Sequence, residues 1–324
     1  MVGKVRWEAT PPAPSKPEEF GFDLNRALDS VVALQSEIAE DAFTAPVLGV
    51  KRAGSGVVIR SDGLVLTIGY LITEADTVWL TTNDGRLIPG HALAVDQETG
   101  FGLVQALERV ELPAIEIGRS SAHSVGDPVV VAASGQPQSM RAEIVGKHEF
   151  AGYWEYVLDE AIFTAPAHPL WGGAGLLDAE GKLIGIGSLH IEQVGDQGSR
   201  RDVNMVVPID LLPPILDDLL KYGRTKRPAR PWLGVYCAES DDKVVIAGVA
   251  EGGPADAAGL RRGDTIVAVG DASVSNLSEF YHKLWRRGSA GAEIPLAITR
   301  DERAMRLRIQ STDRVSHFRK PRLH

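Results

Sequence analysis

The chain has 324 residues, 44% of them hydrophobic and 24% charged, enough for two globular domains with sizeable cores. Its net charge of −9, from 43 acidic against 34 basic residues, argues against a generic nucleic-acid binder. A single cysteine, Cys237, excludes an intrachain disulfide and a thiolate metal cluster, and no run reaches the roughly 18 apolar residues of a membrane span.

Residues 1–23 are proline-rich and charged, which predicts a disordered lead-in. They lack the apolar core of a secretory signal, so the chain as written reads as cytoplasmic, and as periplasmic only if the start site is misassigned. Residues 24–42 fit an amphipathic helix, although Val31, Val32, Ala33 and Leu34 fit a short strand equally well. Beyond them the texture becomes short β-branched runs: "GSGVVIRSDGLVLTI", "TVWLTTNDGRLIPGHALAV", "GDPVVVAAS" and "GKLIGIGSLHI". Ser-Asp-Gly, Asn-Asp-Gly and Ala-Glu-Gly turns separate the strands, a pattern of barrels and sandwiches.

A helix is expected over 209–222, with prolines in its first turns and Gly223 closing it. The proline-studded basic stretch that follows gives a linker at 226–231, between a first domain at 24–225 and a second at 232–311. In the second domain, "PADAAGLRRGD" predicts one helical turn stopped by Gly259, and "NLSEFYHKLWRRG" a helix capped by Asn276. Strands are expected at 243–249, 265–270 and 293–310. In the 312–324 tail, Arg314, Arg319, Lys320 and Arg322 read as a solvated terminus rather than an anion site.

Six segments, in this order, resemble the HtrA (DegP/DegQ-like) family of serine proteases: "GSGVVIRSDGLVLT", "HPLWGGAGLL", "GKLIGIGS", "VNMVVPIDLLPPILDDLLKYG", "RPWLGV" and "GGPADAAGLRRGDTIVAVG". The resemblance covers roughly residues 46–311 and implies a mainly β fold, a chymotrypsin/trypsin-like double β-barrel followed by a smaller α+β PDZ domain. It also implies a role in protein quality control, with a possible homo-oligomer, a trimer in the family. Such a protease needs a serine nucleophile, a histidine base and an orienting aspartate. The family's histidine lies in a Thr-Asn-x-His-Val-Val pattern, where "TIGYLI" places Tyr70. Its aspartate lies in Asp-x-x-Thr-Asp-Leu-Ala, where "DQETGFGLV" places Gly100, and its serine in Asn-Pro-Gly-Asn-Ser-Gly-Gly, where "HPLWGGA" places Gly172. All three positions lack the required chemistry, so no catalytic residue is assigned.

Other residues supply no evident replacement. His168 occupies the family's asparagine position, pointing away from the nucleophile site, with Asp159, Glu160 and Thr164 upstream; it reads as solvated or hydrogen-bonded. Ser134 and Ser139 read as surface-loop residues, Tyr70 as a weak base, its unperturbed pKa being about 10, and Cys237 as a core residue. No cofactor or metal site is expected: "GSGVVI" leads into a strand, and the eight histidines show no zinc spacing. The former oxyanion loop has Leu170 where the family has a donor glycine, and Trp171 is expected to cover the vacated cleft, with Gly172 and Gly173 packed beneath its ring.

A PDZ domain adds a peptide C-terminus to a sheet edge and holds its carboxylate with backbone N–H groups. "PWLGV" matches that loop: Trp232 and Gly234 shape it, Leu233 and Val235 floor an apolar pocket, and Phe280 and Leu284 wall it. The expected partners are protein or peptide C-termini with an apolar last residue. The sequence thus reads as a catalytically inactive HtrA-like protein acting as a binding scaffold. The alternatives are an active serine endopeptidase of the same family with a non-standard nucleophile, and a PDZ unit closed to free ligands.

Overall fold

A computed structural model describes residues 20–319, apart from 110, 136–137, 195–199 and 241. Most of the expected lead-in, and Lys320 and Arg322 of the tail, lie outside the described residues. The chain forms two compact units: residues up to Glu37 with Val50–Lys147 and Ile162–Gly223, and Ile38–Gly49 with His148–Ala161 and the stretch from Arg224 onward. Two segments remote in sequence, 38–49 and 148–161, therefore group with the C-terminal stretch, which a linear division at 226–231 does not include.

The first unit begins with a short helix, α1 (Leu24–Asp29), whose N-terminus is capped by Asp23 accepting from the Arg26 N–H at 3.0 Å. The ambiguity over 24–42 resolves into both forms, because Val31 to Leu34 enter β1 (Val31–Ile38), where β-branched residues pair with β2 (Lys51–Arg60) from Val31 opposite Val57. With β3 (Leu64–Ile68), β4 (Ala75–Thr81), β5 (Leu87–Val95) and β6 (Phe101–Ala106) these close a barrel in the order β1-β2-β3-β6-β5-β4. Leu34, Leu64, Leu66, Phe101 and Leu103 are buried within it.

A second barrel follows in the order β10-β11-β12-β9-β8-β7. Its strands are β7 (Pro128–Ala132), β8 (Ser139–Gly152), β9 (Tyr156–Ala165), β10 (Gly175–Leu177), β11 (Leu183–Val194) and β12 (Arg200–Pro208). Ile144, Ile162, Leu176, Ile184 and Val206 form its core. The helix expected at 209–222 starts with a single tight turn at Ile209–Leu211, because Pro213 and Pro214 suit the first positions of the helix proper (Pro213–Tyr222).

In the second unit the sheet runs β13-β14-β15-β17-β18, with β16 paired to β15. These are β13 (Val235–Ser240), β14 (Lys243–Val249), β15 (Thr265–Val269), β16 (Ala272–Ser273), β17 (Glu293–Arg300) and β18 (Arg303–Gln310). The run at 293–310 is two strands because Asp301 and Glu302, both at positive φ, make a tight reversal between them. The Leu277–Trp285 helix lays Leu277, Phe280, Tyr281 and Leu284 into the core. Its cap is the expected one: Asn276 Oδ1 accepts from the Glu279 N–H at 2.8 Å, and Glu279 reaches back to the Ser275 N–H at 3.2 Å.

The basic tail departs from expectation. Arg314 lies in a turn at Arg314–His317, partly buried, and Arg319 lies 3.6 Å from Asp41, so these two arginines are part of the folded unit.

Loss of the Asn276 cap gives a measurable consequence. Asn276→Ala is expected to lower the stability of the second unit by about 1 kcal/mol in urea unfolding, whereas Asn276→Ser leaves it nearly unchanged.

Candidate functional site

The cleft of the first unit is built where β3 ends. After Ile68 the chain makes one turn at Gly69–Leu71, and the buried Arg52 guanidinium holds that turn by donating to the carbonyls of Tyr70 (2.7 Å) and Thr73 (3.0 Å). Tyr70 is thereby aimed at the loop around residue 172. Its hydroxyl donates to the Ser188 carbonyl at 2.9 Å and accepts from the Trp171 indole N–H. Burial pushes the phenol well above its ordinary range, so at neutral pH it is a neutral hydroxyl and not a base. A Cβ on Gly172 would lie 2.9 Å from the Tyr70 oxygen. The Tyr70 hydroxyl thus stands close to where a side chain at 172 would project.

Gly100 lies in a backbone turn. It has φ +83°, accepts from the Gly69 N–H at 2.6 Å and donates to the Asp96 carbonyl at 2.9 Å. An aspartate at this position would have to adopt the left-handed region, which L-residues reach at a cost. The nearby Asp96 is spent on its own turn, its Oδ2 accepting from the N–H and hydroxyl of Thr99, each at 2.8 Å.

His168 is fully buried, which replaces the solvated alternative with the hydrogen-bonded one. Its N–H donates to Asn204 Oδ1 at 2.6 Å, and its Nδ1 accepts from the Leu170 N–H at 3.0 Å. In a serine protease the N–H two positions before the nucleophile is an oxyanion donor. Here that N–H is committed to an imidazole, and Leu170 is not among the described non-glycine residues with positive φ.

The loop is anchored from both sides: the Ser55 N–H donates to the Gly172 carbonyl at 2.8 Å and the Gly173 N–H to the Gly187 carbonyl at 2.9 Å. Trp171 is half-buried and stacks on His190 with ring centroids 5.3 Å apart. Gly172 packs against Tyr70 and Gly173 against β2: a Cβ on Gly173 would meet the Ser55 carbonyl at 2.0 Å. Asp159 and Glu160 are exposed on β9, and Thr164 is buried. Ser139 is not a loop residue; it is buried at the start of β8, opposite Ala132, and Ser134 donates its N–H to Ser55 Oγ at 3.0 Å.

In the second unit the expected carboxylate loop already holds a carboxylate. The N–H groups of Gly234 and Val235 donate to Glu155 Oε1 at 2.7 and 3.0 Å, and that of Leu233 donates to Oε2 at 3.0 Å. Gly234, at φ +81°, is required for this turn, and a Cβ there would press on the Trp232 ring at 2.9 Å. Trp232 does not line a groove: it is buried against Phe43 and His317 and pairs through its backbone with Thr312. Leu233, Val235, Phe280 and Leu284 are likewise members of a closed apolar core rather than walls of an open pocket, and Val157 belongs to the same cluster. Cys237 is buried in it, its thiol pushed up by burial. One group among the described residues could offer metal ligands, Glu149, Asp159 and His282, but Glu149 and His282 are already hydrogen-bonded to each other at 2.9 Å.

Glu155, which fills the loop at 233–235, is the residue that sequence reasoning missed. It stands 78 residues before Leu233, in "AGYWEYV", whose spacing carries no sign of a ligand.

Residues 54–186 match the family model of the trypsin-like peptidase domain, and residues 231–310 that of the PDZ domain. A probable periplasmic serine endoprotease DegP-like of Hahella chejuensis is 27% identical over 265 residues, 77% of this chain and 55% of that protein. Serine endoprotease DegS of Salmonella typhimurium is 23% identical over 316 residues, 90% of this chain and 85% of that one. Among solved structures, the HtrA-type protease AlgW with decapeptide matches at TM-score 0.54 and 22% identity, over 92% of this chain and 98% of that chain, which shows a shared fold. A peptidase-like double barrel followed by a PDZ domain is thus the class that fold and sequence define. The chain belongs to the HtrA family of serine proteases with a C-terminal PDZ domain.

Burial raises the Glu155 carboxyl to about 7, outweighing the three N–H bonds and the Arg314 charge that favour its ionised form. Tyr236, Cys237 and Tyr281 also couple to it, and burial moves each of them upward, away from this range. The folded unit therefore holds a proton that the unfolded chain has released between pH 4.5 and about 7, so this carboxyl's contribution to stability falls as pH rises through that window. Thermal unfolding of the wild type is expected to lose on the order of 3 kcal/mol relative to Glu155→Gln between pH 4.5 and 7.5. A parallel pH dependence in the two proteins would contradict it.

Proposed function

We propose that the chain is a catalytically silent HtrA-family protein that works by binding, its PDZ domain taking protein or peptide C-termini with an apolar last residue. The observation that carries the loss of catalysis is the Tyr70 hydroxyl, lodged between Trp171 and Ser188 and 2.9 Å from where a residue-172 side chain would begin. Removing the nucleophile or base of a serine protease costs about 10⁶ in rate and leaves roughly 10³–10⁴ over water, partly from the oxyanion hole. Here one of that hole's two backbone donors is also engaged elsewhere.

An endopeptidase using another nucleophile lacks support from these side chains. The Tyr70 phenol and the Cys237 thiol are both pushed up by burial, and Ser139 is buried in a strand. The binding half of the proposal is supported by the loop at 233–235, whose three N–H groups hold a carboxylate, and by AlgW, a relative in fold solved with a decapeptide.

Purified protein is expected to show no casein hydrolysis and no fluorophosphonate labelling. Turnover that co-purifies with the chain, survives Gly172→Ala and is labelled at a mapped residue would overturn this reading. For binding, matched peptides ending as the acid or the amide separate the outcomes: preference for the acid is expected, and equal affinities contradict it. Truncating Leu233 or Leu284 is a poorer test, since both are fully buried and the loss would fall on folding.

A further inference from the structure

We infer that residues 153–157 are the resident ligand of this chain's own PDZ groove, Glu155 supplying the carboxylate and Val157 the apolar side chain that a bound C-terminus would bring. The inference deepens the C-terminus-binding reading and rests on it for the identity of the groove.

Each part of a bound C-terminus has a counterpart. The loop's N–H groups at Leu233, Gly234 and Val235 converge on a single carboxylate, and all three lie within 3.3 Å of Oε1. The next strand-type bond follows: the Cys237 N–H on β13 donates to the Tyr153 carbonyl at 2.8 Å, and β13 is the end strand of the sheet path. This is the backbone pairing by which a peptide is added to an edge. The apolar part is Val157, 5% exposed; every other buried member of its cluster comes from Leu233 to Ile309.

The occupant differs from a chain end in one respect. A C-terminal residue carries its carboxylate and side chain on one Cα, whereas here they come from two residues of a hairpin tip. The turn that brings them together places Glu155 at φ +59°, a conformation that a non-glycine residue keeps only when its surroundings hold it there. The three N–H bonds to its side chain are such a restraint.

An external C-terminus must therefore displace a segment tethered to the same molecule. A short tether presents its ligand at millimolar effective concentration, and the apparent affinity for a competitor falls by the fraction of time the groove is free. Unmodified protein would then bind C-termini weakly, and anything that draws 153–157 away would strengthen binding.

The test uses the full chain, as wild type, Glu155→Ala and Glu155→Gln. Amide hydrogen exchange is followed over residues 233–237, with β15 as an internal control, and a decapeptide ending in valine is titrated as acid and as amide. Glu155→Ala is expected to speed exchange at 233–237 at least tenfold without changing β15, and to tighten binding of the acid peptide at least tenfold. Glu155→Gln retains Oε1 and should stay close to wild type in exchange. Unchanged exchange at 233–237 in Glu155→Ala overturns the inference, as does equal tight binding of the acid peptide by wild type and Glu155→Ala. If exchange speeds up but no variant binds the peptide, the resident-ligand assignment stands and the C-terminus-binding reading fails. Should Glu155→Ala not fold, Glu155→Asp, one methylene too short to reach the loop, carries the same two readouts.

Discussion

The Tyr70 hydroxyl, 2.9 Å from where a side chain at residue 172 would begin, governs the cleft of the first unit. Tyr70 donates to Ser188 and accepts from Trp171. Trp171 in turn settles on His190, and Leu170 directs its N–H to the buried His168. These residues form one repacked arrangement with its hydrogen bonds internally met, as buried polar groups require.

The second unit obeys the same physical rule in a different place. A loop built to hold a carboxylate with three N–H groups cannot leave those donors buried and unpaired without a penalty of one to several kcal/mol. Glu155 meets that demand from within the unit, at the cost of burying a carboxyl whose protonation is driven upward. In both units buried polar groups are met by the chain's own side chains.

Much of this was legible in the sequence, and the remainder has a common cause. Periodicity and turn chemistry mark the strands, and Asn276 with Glu279 marks the capped helix, because these signals are local. The residues at the three triad positions, Tyr70, Gly100 and Gly172, were legible because they depend on residue identity. What Tyr70 does was not, since its partners Trp171 and Ser188 lie 101 and 118 residues away and no spacing encodes them. Glu155 was hidden for the same reason: "GYWEYV" reads as an ordinary aromatic hairpin turn, and its acidic residue is indistinguishable from a solvated one until the fold brings it to Leu233. Residues 24–42 stayed ambiguous for another reason, since a six-residue helix followed at once by a strand dilutes both periods.

The most direct measurement is the reaction of the triple variant Tyr70→His, Gly100→Asp, Gly172→Ser with a fluorophosphonate, compared with the same variant carrying Leu170→Gly and Trp171→Asn as well. If the whole cleft has been repacked, the triple variant stays as unreactive as wild type, because residue 100 is held at positive φ and the Leu170 N–H remains bound to His168. Labelling of the triple variant at a rate typical of an active serine protease would show that only the triad was lost and that the surrounding loop still forms a working oxyanion site.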